Sequence, residues 1–363
     1  MQSILIRITY FLKDFAPYLI IIFAVVASFI VSAYKISKSQ TSQGKKNLML
    51  ALCATAFALV LVFSSFEAYF RYVYDESDGL GFLRVNQKWH QRHVEFNNYF
   101  FRDKNFDQNK QAGVIRIGVL GDSITQGDGI KDVGDRFSNL LEKKLLQAGY
   151  KVEVYNLGKA GYDTEGEIET YNRVQNLNFD IIIWQYFIND IQPKDASTGS
   201  PIIIKNSRRA KILEFVSKYS YLLDYMYWRY STVYDKTVLA LRNADITQYT
   251  DQERLQKHQK EITDFIASLR SDNKKIIVVM FPSIAFLGAD YPTFTNDIMH
   301  KIFSDNQVET IDLWEDLKDQ DPKKLRASRF DTHPNETVHA LAAQKLYEKT
   351  TRLLNIKELS VYE

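Results

Sequence analysis

The stretch VIRIGVLGDSITQG, Val114 to Gly127, decides how the chain is read. Its first half is apolar and β-branched, the composition of a buried strand. The run stops at Gly121, and Asp122, Ser123, Thr125, Gln126 and Gly127 follow at once. Two readings of Ser123 compete. Strands end in turns, and Asp, Ser and Gly are turn residues. Alternatively, Ser123 is a nucleophile presented at the carboxyl edge of a parallel sheet, where open α/β sheets bind their ligands.

Working outward, strands and helices alternate. Val114 to Leu120, Lys151 to Tyr155, Phe179 to Phe187, Lys274 to Phe281 and Val308 to Trp314 have strand character. Arg136 to Ala148, Thr164 to Leu177, Thr250 to Ser271 and Asn335 to Leu354 have helical spacing. Strands apolar on both faces, separated by helices, imply a parallel sheet covered on both sides. An excursion over about 191–245 interrupts the alternation. Its middle, Tyr219 to Tyr234, holds six tyrosines and a tryptophan. It is either a helix packed on the main body or an aromatic wall over a site.

Polar clusters fall at one predicted edge of the sheet. After the first strand comes Ser123. NLGKAGYDT, with Gly158 and Gly161, follows the second, and FIND, with Asn189 and Asp190, follows the third. RFDTHPN, with Asp331 and His333, follows the last. A serine nucleophile needs an imidazole to take its proton and a carboxylate to orient that imidazole. The developing oxyanion needs preorganised backbone or amide donors. Asp122 and Asp190 are expected to hold loops, and His339 to be a packing or surface residue.

These four blocks, in this order, resemble the SGNH (GDSL-like) hydrolase family over roughly Val114 to Leu354. The lead-in NNYFFRDKNF, Asn97 to Phe106, is similar to a segment of membrane-anchored bacterial members. The resemblance implies a flavodoxin-like three-layer α/β/α parallel sheet, no cofactor and no metal. By position it implies Ser123 as nucleophile, His333 as general base and then acid, and Asp331 as its orienting partner. The oxyanion donors would be the N–H groups of Ser123 and Gly161 and the side chain of Asn189. Two departures stand out. Many members place the aspartate three residues before the histidine, whereas here Phe330 holds that position. The third block commonly carries glycine where this chain has Phe187 and Ile188.

Composition bounds the remainder. The 363 residues include 46 basic and 44 acidic ones, a balance with no electrostatic argument for nucleic acid. The single cysteine, Cys53, excludes an intrachain disulfide and a cysteine zinc site. Phe15 to Tyr34 and Asn47 to Phe66 are uncharged, apolar runs, each long enough to cross a bilayer as a helix. VSA, Val31 to Ala33, resembles a signal cleavage site, but the second run would remain. Lys35 to Lys46 carries four lysines and no acid, whereas Glu67 to Asp78 holds four acids and one arginine. Basic loops stay cytoplasmic, so everything after Phe66 is expected outside the cytoplasm.

The expected organisation is a two-helix transmembrane anchor over 1–66, a juxtamembrane lead-in over 67–109 and a catalytic domain over 110–356. The expected partners are the lipid bilayer and an acylated glycan or lipid. The expected activity is that of a serine esterase working through an acyl-serine. An O-acyltransferase of envelope polysaccharide would use the same triad. A catalytically silent glycan-binding module would keep the fold alone.

Overall fold

A computed structural model describes residues 2–79, 84–192, 218–234, 245–288 and 291–359. Five parallel strands form one sheet: β1 (Ile115–Leu120), β2 (Val152–Asn156), β3 (Ile181–Tyr186), β4 (Lys275–Met280) and β5 (Thr310–Asp312). Their spatial order is β2-β1-β3-β4-β5. From β1 the chain first steps outward to β2, then returns past β1 to β3. The carboxyl ends of β1 and β3 therefore flank the topological switch point, where a crevice opens in folds of this order.

Side-chain alternation divides two cores between the sheet's faces. On β3, Ile181 and Ile183 join one cluster, while Ile182, Trp184 and Tyr186 join the other. Because both faces must be apolar, the strand is apolar throughout. Helices α5 (Phe137–Gln147) and α11 (Glu336–Leu359), the latter preceded by the short α10 (Trp314–Leu317), cover one face through Leu141, Leu145, Ala342 and Leu346. Helices α6 (Thr164–Val174), α8 (Gln252–Ser271) and α9 (Thr293–Asp305) cover the other through Tyr171, Phe265 and Phe303. Each buried leucine or phenylalanine among them contributes roughly 1.5–3 kcal/mol by leaving water. The expected three layers are present; the expected strands and helices are shifted only at their ends, and α9 is a helix the sequence reading did not include.

Before the sheet lie α1 (Gln2–Lys38) and α2 (Gln43–Ala68). Both are long and apolar enough to cross a membrane, and no part of either apolar window is buried. The helices run past the apolar runs into polar sequence at their ends. They pack as a hairpin, with Phe29 and Phe57 ring centroids 5.2 Å apart.

The lead-in, which shows no clear period, contains a π-helical turn (Tyr69–Val73) and α3 (Arg84–His93). Only Val85 and Trp89 supply an apolar buried face to α3, too little for a hydrophobic period. Of the excursion, 193–217 and 235–244 lie outside the described residues. Its described helix, α7 (Tyr221–Tyr234), packs on the end of α2. Glu67 caps it, accepting the N–H groups of Tyr221 and Leu222 at 3.0 Å. Tyr225 lies 4.3 Å from the Phe70 ring and 5.7 Å from that of Phe330.

Candidate active site

Ser123 opens α4 (Ser123–Gln126), a single turn directly after β1. Asp122 caps it, its carboxylate accepting the Ile124 N–H at 2.8 Å. Gly127 ends it in the left-handed conformation, φ +82°, which glycine adopts without strain. As the first helical residue, Ser123 has a backbone N–H that no intrahelical carbonyl can reach. Gln185 on β3 ties the turn down, its Oε1 accepting the Asp122 N–H at 3.2 Å and the Thr125 hydroxyl at 2.9 Å.

His333 meets this turn from the segment before α11. Its Nε2 is 2.8 Å from Ser123 Oγ, and its Nδ1 is 2.6 Å from Asp331 Oδ1. The Asp331 carboxylate also accepts the His333 backbone N–H at 2.9 Å. This turn is available because the two residues are two positions apart. The shorter spacing therefore brings carboxylate and imidazole into contact.

Burial would by itself lower the pKa of His333. It is outweighed by the charge and hydrogen bond of Asp331, with Asp128 and Asp122 adding, and the imidazole is held up at about 9. Burial pushes Asp331 up, but the imidazole and three hydrogen bonds outweigh it and hold the carboxyl below its ordinary value. A chain of this form can move a proton from serine to imidazole and neutralise the resulting imidazolium.

Asn189 lies in the 3₁₀ turn Ile188–Ile191 after β3, across the switch point from Ser123. Its buried side-chain oxygen has no hydrogen-bond partner among the described residues. Asp190 holds this turn by accepting the Phe187 N–H at 2.6 Å. Gly161 is exposed and left-handed, φ +77°, with open space where a Cβ would stand. Gly158 is buried, and a Cβ there would lie 2.2 Å from Gln126 N. The two glycines thus have different causes, one conformational and one steric.

Several contributors carry no motif. Arg102, in the lead-in, is fully buried and donates to the carbonyls of Gly127 and Ile130 at 2.5 and 2.7 Å. Arg136 donates to Gln126 O at 3.2 Å and pairs with Asp103 at 3.2 Å. Ser77 donates its hydroxyl to Asp331 Oδ2. Arg102 lies within the NNYFFRDKNF segment, whereas nothing in the sequence pointed to Arg136 or Ser77. His339 is buried on α11, its Nδ1 accepting the Phe137 N–H at 3.1 Å. Lys159 lies over the rings of Phe101 and Tyr162, 5.3 and 5.5 Å from their centroids. Among the described residues, no group of His, Cys, Asp and Glu is arranged to hold a metal ion.

A family model described as GDSL-like lipase/acylhydrolase matches residues 119–341. No curated protein matches the chain. Solved structures similar to it include a lipase/acylhydrolase from Enterococcus faecalis. That one is 14% identical, with a TM-score of 0.41, covering 65% of this chain and 94% of the other. The psychrotrophic esterase EstA from Pseudoalteromonas sp. is 12% identical, with a TM-score of 0.40, covering 66% and 98%. A two-domain esterase active on acetylated mannans is 12% identical, with a TM-score of 0.42, covering 66% and 50%.

Proposed function

Since this chain belongs to the GDSL-like lipase/acylhydrolase family, an SGNH-type group of hydrolases acting on esters, we propose that it is a membrane-anchored serine esterase. Its catalytic residues are Ser123, His333 and Asp331. The observation that carries this reading is the continuous hydrogen-bonded chain from Ser123 Oγ through the His333 ring to Asp331.

In the first half-reaction His333 Nε2 takes the hydroxyl proton as Ser123 Oγ attacks the acyl carbon. Asp331 keeps Nδ1 protonated and stabilises the imidazolium. The tetrahedral oxyanion is met by the N–H groups of Ser123 and Gly161 and by the Asn189 side chain. Collapse breaks the ester C–O bond, and the alcohol leaves with the proton from Nε2. The acyl-serine is then cleaved by water activated at the same imidazole.

The two apolar helices support anchorage in a bilayer, and the lysine loop between them supports a catalytic domain outside the cytoplasm. A site tethered there meets the acyl or acetyl esters of envelope glycans and lipids, which is the substrate class proposed. The test is labelling of the full-length, detergent-solubilised protein with a fluorophosphonate. Labelling of the wild type that disappears in Ser123→Ala is expected. A folded wild type that does not label would overturn the reading.

A further inference from the structure

The far end of the hydrogen-bonded chain is held by a segment the mechanism above does not use. Asp331 is fully buried, so each carboxylate oxygen needs donors. Oδ1 is occupied twice by His333, through Nδ1 and the backbone N–H. That double use follows from the spacing of two, which folds Asp331 to His333 into a side-chain-closed turn. It leaves Oδ2 facing away from the histidine.

The donor to Oδ2 is Ser77 Oγ. Ser77 is 4% exposed and lies on the strap between the π-helical turn and α3. The strap is held to the acid's own loop at a second point. Ser328 Oγ donates to Ser77 O at 3.2 Å and accepts the N–H groups of Phe330 and Asp331, each at 3.1 Å. Bare backbone closes the remaining sides. A Cβ on Gly79 would stand 2.5 Å from Asp331 Oδ1, and one on Gly129 would stand 3.1 Å from Oδ2. The strap's start is fixed as well, since Lys88 on α3 donates to Tyr74 O.

A carboxylate bonded only through Oδ1 can swing about its side-chain torsion. A second bond through Oδ2 fixes its plane and keeps Oδ1 aimed at Nδ1, the geometry on which histidine orientation depends. We infer that Ser77 is a positioning residue for the acid of the triad, so that the strap leading from the second apolar helix forms part of the active site. The inference rests on the triad reading proposed above.

The experiment compares wild type, Ser77→Ala, Ser77→Thr and Ser123→Ala, all full-length in detergent, by fluorophosphonate labelling over a range of probe concentrations. Ser77→Ala is expected to lower the maximal labelling rate about ten- to a hundredfold, the range for losing a hydrogen bond to a charged group. The half-saturating probe concentration should stay unchanged, because Ser77 does not touch the probe. Ser77→Thr, which keeps the hydroxyl, should recover most of the rate. A wild-type rate in Ser77→Ala overturns the inference, and so does a loss that Ser77→Thr shares in full. If Ser77→Ala does not fold, Ser77→Cys replaces it with the same expectation of a slower maximal rate, and a wild-type rate there overturns it. A wild type that never labels removes the triad reading and this inference together. That outcome is distinct from a labelled wild type matched by Ser77→Ala.

Discussion

Gly158 and Gln126 meet backbone to backbone: a Cβ on Gly158 would stand 2.2 Å from the Gln126 amide nitrogen and 2.6 Å from the Thr125 carbonyl carbon. The loop after β2 is thereby pressed against the turn that carries Ser123. Asn156 Nδ2 fastens it by donating to Thr125 O at 2.6 Å, and Lys159 N by donating to Gly121 O at 3.1 Å. Gly158→Ala must push the two apart. It is expected to cost about 1–3 kcal/mol of stability, the usual cost of overpacking. Labelling of Ser123 should fall about a hundredfold, as for a displacement near 1 Å. Gly161→Ala has room for its methyl group and bears only the left-handed strain, about 1–2 kcal/mol. Thermal midpoints and labelling rates of both variants check this, and a Gly158→Ala protein equal to wild type would refute the steric argument.

Much of this architecture was legible beforehand, for identifiable reasons. The apolar runs of β1, β3 and β4 stand out because both faces of the sheet are covered. Ser123, Asn189 and His333 stand out because each immediately follows, or lies in the segment after, a strand. The structure brings Ser123, His333 and Asp331 into one hydrogen-bonded chain, with Asn189 across the switch point. The two glycines of the second block look alike in sequence, because only the folded backbone distinguishes a close approach from a left-handed φ. Ser77 precedes its partner Asp331 by 254 positions in an aromatic, polar segment, and no local pattern encodes so long-range a contact. Helix α3 was hidden for the same reason that it is stable: it is held by polar contacts such as that of Lys88 with Phe70 O rather than by an apolar stripe.

The pH dependence of acylation should report the environment of His333. Only the neutral imidazole can accept the serine proton, and the ring is held up from 6.5 to about 9. Labelling should therefore rise with pH, with a half-point above 6.5. Asp128 is one of the charges that favour the imidazolium. Asp128→Asn removes that charge and keeps an acceptor for the Gln126 Nε2 donor, now at 2.9 Å. The acid limb should move to lower pH. An unmoved limb, or one displaced upward, would exclude Asp128 as a contributor.

Asn189 is expected to act on turnover rather than on folding. Its side-chain oxygen takes no part in holding the turn, which Asp190 secures instead. Asn189→Ala should thus leave the thermal midpoint near wild type. If the amide donates to the oxyanion, it should lower turnover of an ester substrate by about 10²–10³. Steady-state kinetics on a chromogenic acetyl ester measures this, and an unchanged kcat would remove Asn189 from the oxyanion site.

Topology gives an independent check on the anchor. With the lysines of the 35–46 loop retained in the cytoplasm, both the stretch before the first apolar run and the domain after α2 are expected on the opposite side. A reporter active only outside the cytoplasm, fused after Leu359, should be active, and one active only inside should be silent. The reverse pattern would invert the assignment and with it the proposed access to envelope substrates.

Acid stability should be governed in part by His339. Burial, and then the charges of Arg136, His333 and Arg102, push its pKa down to about 3. The folded ring stays neutral while the unfolded ring takes up a proton below 6.5. Its contribution to stability is therefore complete above pH 6.5 and is lost as pH falls from there towards 3. His339→Leu removes that titration but also removes the acceptor of the Phe137 N–H at the start of α5. At pH 8 the variant should be less stable by about 1–3 kcal/mol, the cost of stranding a buried donor. Because the wild type alone loses stability through His339 on acidification, the gap should narrow steadily from pH 6.5 towards pH 4. Thermal midpoints across that range decide the matter: curves that stay parallel would mean that the buried ring does not differ in proton affinity between folded and unfolded chains.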